Sequence, residues 1–269
     1  MCKKMLVLIL VLGLASVVSA TDWTGLGDGV NWSDASNWDA GVPYWNPDPA
    51  PWGDGVTANI DNADVTLDIS GSCGYGSGVN IGGSAGASAS LSCDGSGGSG
   101  MAHISGSVSL VYNGDDGDAS ATLNWSGGLC NIDQSYANLL MGFNGSGTAT
   151  VNLSGGTIHT AGATYFNHDT DVDGYMYISG TGTLESKVNF SWTGTSAAEL
   201  VTITDLGRIV TAGDYVDYYN GLIGTKIVSP DGLHAYYDDM LESTIVEIPE
   251  PATMMLLGLG GLALIRKRR

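Results

Sequence analysis

The most regular feature of the chain is an alternation of apolar and polar residues that ends in a Ser-Gly pair. Successive side chains of a strand point to opposite faces, so this period of two predicts strands with one buried face. The Ser-Gly pairs follow one another at spacings of 35, 21, 28 and 25 residues, which is typical of the coils of a solenoid. The alternating small or apolar residues are Val65, Leu67 and Ile69; Gly100, Ala102 and Ile104; Ala121, Leu123 and Trp125; Ala149, Val151 and Leu153; and Gly174, Met176 and Ile178.

A second short strand is predicted after three of the Ser-Gly turns, over residues Leu129–Ile132, Thr157–Thr160 and 183–185. Gly, Asn and Asp between the strands suit corners that need a positive φ. Residues 71–100 are mostly Gly, Ser and Ala, and they predict either a thin coil or a loop. No helical periodicity is present between the termini. We therefore predict an all-β fold, a right-handed parallel β-helix or solenoid over residues 65–196, with an irregular β-sandwich as the alternative.

Different segments flank the predicted solenoid. Residues 21–64 contain five of the seven tryptophans, including Trp32 and Trp38. We interpret them as an N-terminal cap whose aromatic side chains cover the open end of the stack. The alternative is a glycan-binding site in which exposed Trp32 and Trp38 stack on sugar rings. At the other end, residues 197–247 predict a C-terminal cap and linker, in which tyrosines close the stack and the acidic residues 238–250 lead to the end of the chain.

Both termini carry a short apolar run beside basic residues. Residues 1–20 combine Lys3 and Lys4, an apolar run and small residues before position 20, which predicts a signal peptide for export by the Sec machinery. Residues 248–269 read IPEPATMMLLGLGGLALIRKRR: a Pro-Glu-Pro, an apolar run of 14 residues and a basic cluster. As a helix this run rises ~21 Å, less than the ~30 Å hydrocarbon core. A short transmembrane helix is predicted there, with its basic side chains reaching the membrane surface.

The C-terminal residues resemble the PEP-CTERM sorting signal of Gram-negative bacteria. The resemblance rests on Pro249, Glu250 and Pro251, on the Gly-interrupted apolar run, and on the basic end formed by Arg266, Lys267, Arg268 and Arg269. It implies that an exosortase, a membrane enzyme, cleaves near the Pro-Glu-Pro and passes the body to the cell surface after transient anchoring in the inner membrane. The repeats also resemble the Gly-rich coils of autotransporter-like surface proteins. The alternative for this tail is a buried C-terminal helix.

The charge of the chain excludes one class of partner. Between the predicted signal peptide and the C-terminal basic cluster only Lys187, Arg208 and Lys226 are basic, against 28 acidic residues, so the formal charge of this part is −25. Such a surface repels phosphate backbones, which excludes nucleic-acid binding. It attracts cations, although a solvated acidic surface is the simpler interpretation.

Cysteine content gives a weaker prediction. After removal of the signal peptide three cysteines remain, Cys73, Cys93 and Cys130, in an oxidising compartment. An odd number allows at most one pair among them. Cys73 and Cys93 are the favoured pair, because both lie near the same Gly/Ser-rich segment.

The best candidate for a metal site is the run Asp169, Asp171 and Asp173 before Gly174. Three carboxylates at alternate positions supply the oxygen ligands that Ca²⁺ prefers, as at the start of an EF-hand loop. The twelfth position is Gly180 instead of Glu, so the pattern predicts at most a partial calcium turn, and a polar solenoid corner is the alternative. Residues 113–118 are a weaker version of the same pattern. No other cofactor is predicted.

Catalysis is not predicted. Polysaccharide lyases use β-helix scaffolds with Ca²⁺ and a basic residue, but the three basic residues here belong to no motif and the four histidines are scattered. An acidic body also repels acidic polysaccharides. We expect an exported protein of the cell surface or extracellular matrix with a structural or adhesive role and with extracellular polysaccharide as a partner. The alternatives are a glycan-binding surface protein and, less favoured, a polysaccharide lyase or hydrolase.

Overall fold

The computed structural model describes residues 20–40, 42, 45–46, 57–68, 71–73, 78–83, 86–94, 101–104, 106–112, 114–132, 137–142, 145–166, 171–192 and 199–249. This part of the chain is mostly strand, and parallel strands stack into a β-solenoid of about five turns. The predicted fold class is therefore confirmed. The predicted signal peptide and the C-terminal apolar run lie outside the described residues.

Each turn of the solenoid contributes one strand to each of three sheets. The first sheet contains β1 (Thr21–Asp22), β3 (Ala58–Ile60), β6 (Val79–Ile81), β9 (Val108–Leu110), β12 (Leu139–Met141), β15 (Thr164–Phe166) and β18 (Ser191–Trp192). The second contains β4 (Asp64–Thr66), β7 (Ser88–Cys93), β10 (Gly114–Trp125), β13 (Gly145–Leu153), β16 (Asp171–Ile178), β19 (Glu199–Ile203) and β21 (Ile227–Val228). The third contains β2 (Trp45–Asn46), β5 (Gly71–Cys73), β8 (Met101–Ile104), β11 (Leu129–Ile132), β14 (Thr157–Thr160), β17 (Thr183–Ser186), β20 (Arg208–Ala212), β23 (Ser243–Glu247) and β22 (His234–Asp238).

The period-two pattern forms the core of the solenoid. The inward residues of β10 lie in register on those of β13, with Ala121 on Ala149, Leu123 on Val151 and Trp125 on Leu153. All six are at most 1% exposed. Burying a Leu or Val side chain contributes roughly 1.5–3 kcal/mol, so the stacking of like residues holds adjacent coils together. The residues between them, such as Thr122 and Thr150, face outward and are only half-buried.

Glycine is required at the corner that follows the second sheet. Gly128, Gly156 and Gly180 have φ values of 72°, 69° and 54°. A Cβ added to Gly156 would lie 2.3 Å from the carbonyl oxygen of Gly128 in the neighbouring coil. The corners therefore stack backbone on backbone, which leaves no room for a side chain. The strands predicted after these corners are present as β11, β14 and β17.

One of the five predicted repeats was assigned to the wrong sheet. The sequence pattern aligned Ala102 with Leu123, but Ala102 lies opposite Cys130 in the third sheet. The residue opposite Leu123 is Leu91 of β7, within the segment 71–100 that was predicted as a thin coil or a loop. Alternation is the same in all three sheets, so it does not identify the sheet to which a strand belongs.

A helix and a β-hairpin close the C-terminal end, and the prediction of no helix was wrong. The helix, α1 (Val216–Leu222), buries Tyr219 completely, and the Tyr219 hydroxyl lies 2.6 Å from Thr211 Oγ1. Three of the described pairings in the third sheet are antiparallel. One is that of β2 with β5, and the other two are those of β23 with β20 and with β22. A helix of seven residues is too short to give a clear helical period in the sequence.

Residues 238–250 were predicted to be an acidic link, but residues Ser243–Glu247 of this segment form the strand β23. It lies between β20 and β22, and Ile245 and Val246 are 3% and 0% exposed. The described part of this segment is thus built into the third sheet. Parallel pairing also continues through β19 and β20, so the coils extend past residue 196.

Candidate functional site

The C-terminal tail leaves directly from β23. After Glu247, which ends this strand, Ile248 packs half-buried against the core and Pro249 is exposed. Residues 250–269, which include Pro251 and the cluster Arg266, Lys267, Arg268 and Arg269, lie outside the described residues. The helices within the described ranges are all too short or too polar to cross a membrane. Only two residues, Ile248 and Pro249, separate the end of β23 from Glu250.

A groove of about 930 Å³ lies at this junction. Its lining residues come from the corners before β17 and β20, from the loop before β22 and from the end of β23: Thr181, Thr183, Asp205, Leu206, Gly207, Arg208, Asp231, Glu247, Ile248 and Pro249. Three carboxylates and one guanidinium line the groove, so it is acidic. Arg208 Nε donates a hydrogen bond to Thr183 Oγ1 (3.3 Å).

Glu247 is fixed in place at this groove. The Tyr236 hydroxyl donates a hydrogen bond to Glu247 Oε1 (2.9 Å). Burial, and then this hydrogen bond, raise the pKa of Tyr236. The last residue of β23 is thus held by both its strand pairing and its side chain.

Trp32 and Trp38, the residues of the alternative glycan-binding site, are buried in the N-terminal cap. Trp32 and Trp38 are 1% and 4% exposed. Trp38 Nε1 donates a hydrogen bond to the Trp32 carbonyl oxygen (3.0 Å), and its ring packs edge-on against both Trp32 and Trp23. Neither Trp32 nor Trp38 offers an exposed ring face to a sugar, so the premise of exposed rings was wrong. This packing is what the cap interpretation requires.

The polar residues between these tryptophans fold the cap loop. Asp28 accepts hydrogen bonds from the backbone amides of Asn31 and Val30 (2.9 Å each) and from Asn37 Nδ2 (2.8 Å). These bonds, led by that of Asn31, lower the pKa of the Asp28 carboxyl. Asp34 accepts from the Ser36 amide and so caps the 3-10 helix Ala35–Asn37. The Asx residues here support turns.

A second groove, of about 450 Å³, lies beside the cap. It is lined by Asp22, Trp23, Asn59, Asp61, Gly83 and Tyr112. Asn59 Nδ2 donates to Asp22 Oδ1 (2.8 Å), and Asn80 Nδ2 donates to Asn59 Oδ1 (2.9 Å), so a row of polar side chains crosses β1, β3 and β6. No sequence motif predicts this groove, because the stacking of coils brings together Trp23 and Tyr112, which are far apart in the chain.

The predicted calcium turn is not a turn at its two described positions. Asp171 and Asp173 lie on the outer face of β16, on either side of the buried Val172. Among the described residues no group of three His, Cys, Asp or Glu side chains is arranged to hold a metal ion. Asp169 lies outside these residues, so the complete ligand set stays a prediction.

The basic residues considered for a lyase do not meet in one place. Lys226 Nζ pairs with Glu199 Oε2 at 2.8 Å, Arg208 lies at the junction groove, and Lys187 is exposed. His159 Nδ1 lies 3.3 Å from Glu185 Oε2 on the outer face of the third sheet. These pairs occupy separate surfaces. The predicted Cys73–Cys93 pairing stays a prediction, since the side chain of Cys73 lies outside the described part.

Comparison with protein families finds one match, at the tail. Residues 247–269 match the PEP-CTERM protein-sorting motif. The match begins at Glu247, the last residue of β23, and so includes three residues that line the junction groove, Glu247, Ile248 and Pro249. No curated protein and no solved structure matches the chain.

Proposed function

The chain carries a PEP-CTERM sorting signal, which exosortases recognise on exported proteins of the cell envelope or surface, and from this premise we propose that it is a non-catalytic structural or adhesive protein. Its place would be the outer surface or the extracellular polysaccharide matrix, reached after transient anchoring in the inner membrane. The observation that carries the proposal is the direct connection between the sorting signal and a stacked solenoid body. A solenoid offers a long, regular outer surface instead of one enclosed pocket.

The sorting part of the proposal is tested in the bacterium that makes the protein. Cells would produce the wild-type chain or a triple variant with Pro249, Glu250 and Pro251 replaced by Ala, which keeps the apolar run and the basic cluster. We expect the wild type in the surface fraction in a shortened form, and the variant in the membrane fraction at full length. Pro230→Ala, in an exposed loop before β22, is the matched control. Equal shortening and surface delivery of the triple variant would refute the sorting role.

The adhesive part needs a separate measurement. A strain lacking the gene should show weaker cohesion between cells and matrix, measured as the fraction of cells released by shear. The wild-type chain should restore cohesion and the triple variant should not. New reducing or unsaturated sugar ends, produced when the protein is incubated with extracellular polysaccharide, would instead establish an enzyme.

A further inference from the structure

The outer surface of the second sheet contains a compact patch without charge. Nine outward side chains on β7, β10 and β13 form three rows of three, which we call the neutral face. Its members are Ser88, Ser90, Ser92, Ser120, Thr122, Asn124, Thr148, Thr150 and Asn152. Every one is a hydroxyl or an amide, and all are half-buried or exposed. Two described carboxylates lie at its borders, Asp64 on β4, which accepts a hydrogen bond from Ser90 Oγ (2.6 Å), and Asp173 on β16.

The neutral face is ordered by strand register and by its own hydrogen bonds. Equivalent residues on adjacent strands lie ~4.8 Å apart, and outward neighbours along one strand lie ~6.6 Å apart. Asn152 Nδ2 donates to Asn124 Oδ1 (2.8 Å), and Asn124 Nδ2 donates to Ser92 Oγ (3.1 Å). This ladder fixes the orientation of the amides, and each Nδ2 keeps a second hydrogen for an external acceptor.

Two tyrosines on the next strand, β16, extend two of these three rows. Tyr175 lies in register with Thr150, and Tyr177 lies in register with Asn152. Both point outward from β16, and Tyr177 is 44% exposed. Tyrosine combines a flat apolar ring with a polar hydroxyl, so the pair adds stacking surface to the edge of a hydrogen-bonding array.

We propose that the neutral face and the Tyr175–Tyr177 pair bind an uncharged polysaccharide chain that runs across the strands. Sugar hydroxyls both donate and accept hydrogen bonds, as Ser, Thr and Asn side chains do, and the C–H face of a sugar ring stacks on an aromatic ring. A polymer that crosses the strands meets the same two rows of side chains, those that end in Tyr175 and Tyr177, on each successive coil. The rest of the body carries a large excess of negative charge, so an acidic polymer is repelled. The proposal gives a ligand class to the adhesive role proposed above and rests on it.

The test is affinity electrophoresis of the full-length chain, purified in detergent. Gels would contain hydroxyethyl cellulose or galactomannan as neutral probes, or alginate as the acidic probe. We expect retardation by at least one neutral probe and none by alginate. The double variant Tyr175→Thr/Tyr177→Asn gives β16 the outward residues of β13, Thr150 and Asn152, and so keeps the pattern of the fold. It should bind roughly tenfold more weakly, because both flat apolar rings that stack on the sugar are removed.

Three controls make the result specific to this surface. Tyr237→Thr removes an exposed tyrosine from β22, outside the second sheet, and should leave retardation unchanged. Thr122→Asp places a charge in the middle of the neutral face and should abolish binding while both tyrosines remain. Ser126→Asp adds the same charge at the exposed corner after β10 and should have little effect. Equal melting temperatures would show that the variants are folded.

Several outcomes would overturn the proposal: no retardation by any neutral probe, binding to alginate alone, or undiminished binding by the double variant. A change in oligomeric state on gel filtration, instead of in retardation, would assign the face to a second copy of the chain. The sorting experiment uses tail variants in cells, so failure here leaves its result unaffected. Conversely, an unsorted protein would still show this binding in the gel.

Discussion

The buried ion pair at the C-terminal end of the solenoid gives the sharpest test of the structure. The inward column Ala121, Ala149 and Gly174 continues at Glu199, where a small residue would be expected. Glu199 is 2% exposed, and its Oε2 lies 2.8 Å from Lys226 Nζ. Its Oε1 is buried and has no hydrogen-bond partner among the described protein groups. The carboxylate therefore depends on Lys226 for its compensation.

The two partners should respond unequally to removal. Lys226→Met leaves a buried carboxylate without its cation, which costs roughly 3–5 kcal/mol. For a body of this size that loss lowers the melting temperature by about 6–20 °C. Glu199→Ala restores the small-residue column, and the side chain of Lys226, which is 30% exposed, can turn to water. We therefore expect Glu199→Ala to change stability by no more than about 1 kcal/mol.

Thermal and urea unfolding of four proteins provide the assay: the wild type, the two single variants and the double variant Glu199→Ala/Lys226→Met. The double variant should recover most of the stability lost in Lys226→Met, because the unpaired charge is gone. The prediction is wrong if Glu199→Ala lowers stability as much as Lys226→Met, or if the double variant is the least stable protein. Either result would mean that the buried carboxylate does not destabilise the fold when Lys226 is absent.

Three further predictions concern the corners, the C-terminal end and the cap. Gly156→Ala should lower stability by at least about 1 kcal/mol, because Gly156 has a positive φ and an added Cβ would meet Gly128 of the preceding coil. Gly221→Ala in α1, where an added Cβ meets nothing within 4 Å, is the control, and equal urea midpoints for the two variants would contradict the argument. Stability should fall above about pH 10, because burial raises the pKa of Tyr219, so that the unfolded chain releases a proton that the folded chain keeps. In Tyr219→Phe the urea midpoint should fall less steeply with pH in this range. An unchanged dependence on pH would show that Tyr219 is not the group responsible. At the acid end the lowered pKa of Asp28 means that its contribution is complete above the unfolded pKa of about 3.9 and is lost as the pH falls through the folded value. Asp28→Asn should remove this dependence from the tryptophan fluorescence of the cap, and an identical acid transition in the variant would show that another group controls it.

The sequence predicts the solenoid because burial and alternation are local properties of each strand. Leu123 and Val151 lie inward, and Thr122 and Thr150 lie outward, as the period of two requires. The assignment of strands to sheets is not local. Ala102 obeys the same alternation as Leu91, and only the lengths of the connecting segments and the stacking of coils decide which of them lies opposite Leu123.

The candidate sites were harder to predict for a related reason. Composition drew attention to Trp32 and Trp38, but a cap buries the largest apolar rings that it contains. The neutral face has no motif at all, since its nine residues are spread over three turns. It becomes visible only when β7, β10 and β13 are placed side by side and the side chains that they share on one face are compared.

The junction between body and tail constrains how sorting takes place. Extended residues span ~3.3–3.6 Å each, so an enzyme that acts at residues 249–251 would work within roughly 15 Å of the end of β23. The groove lined by Asp205, Leu206 and Arg208 lies within this distance, so such an enzyme would work close to the folded body. The groove at the end of β23 is acidic, whereas residues 266–269 are all basic. The part of the chain between them therefore has negative charge on one side and positive charge on the other. A negatively charged membrane surface would therefore repel the acidic body and attract the basic cluster.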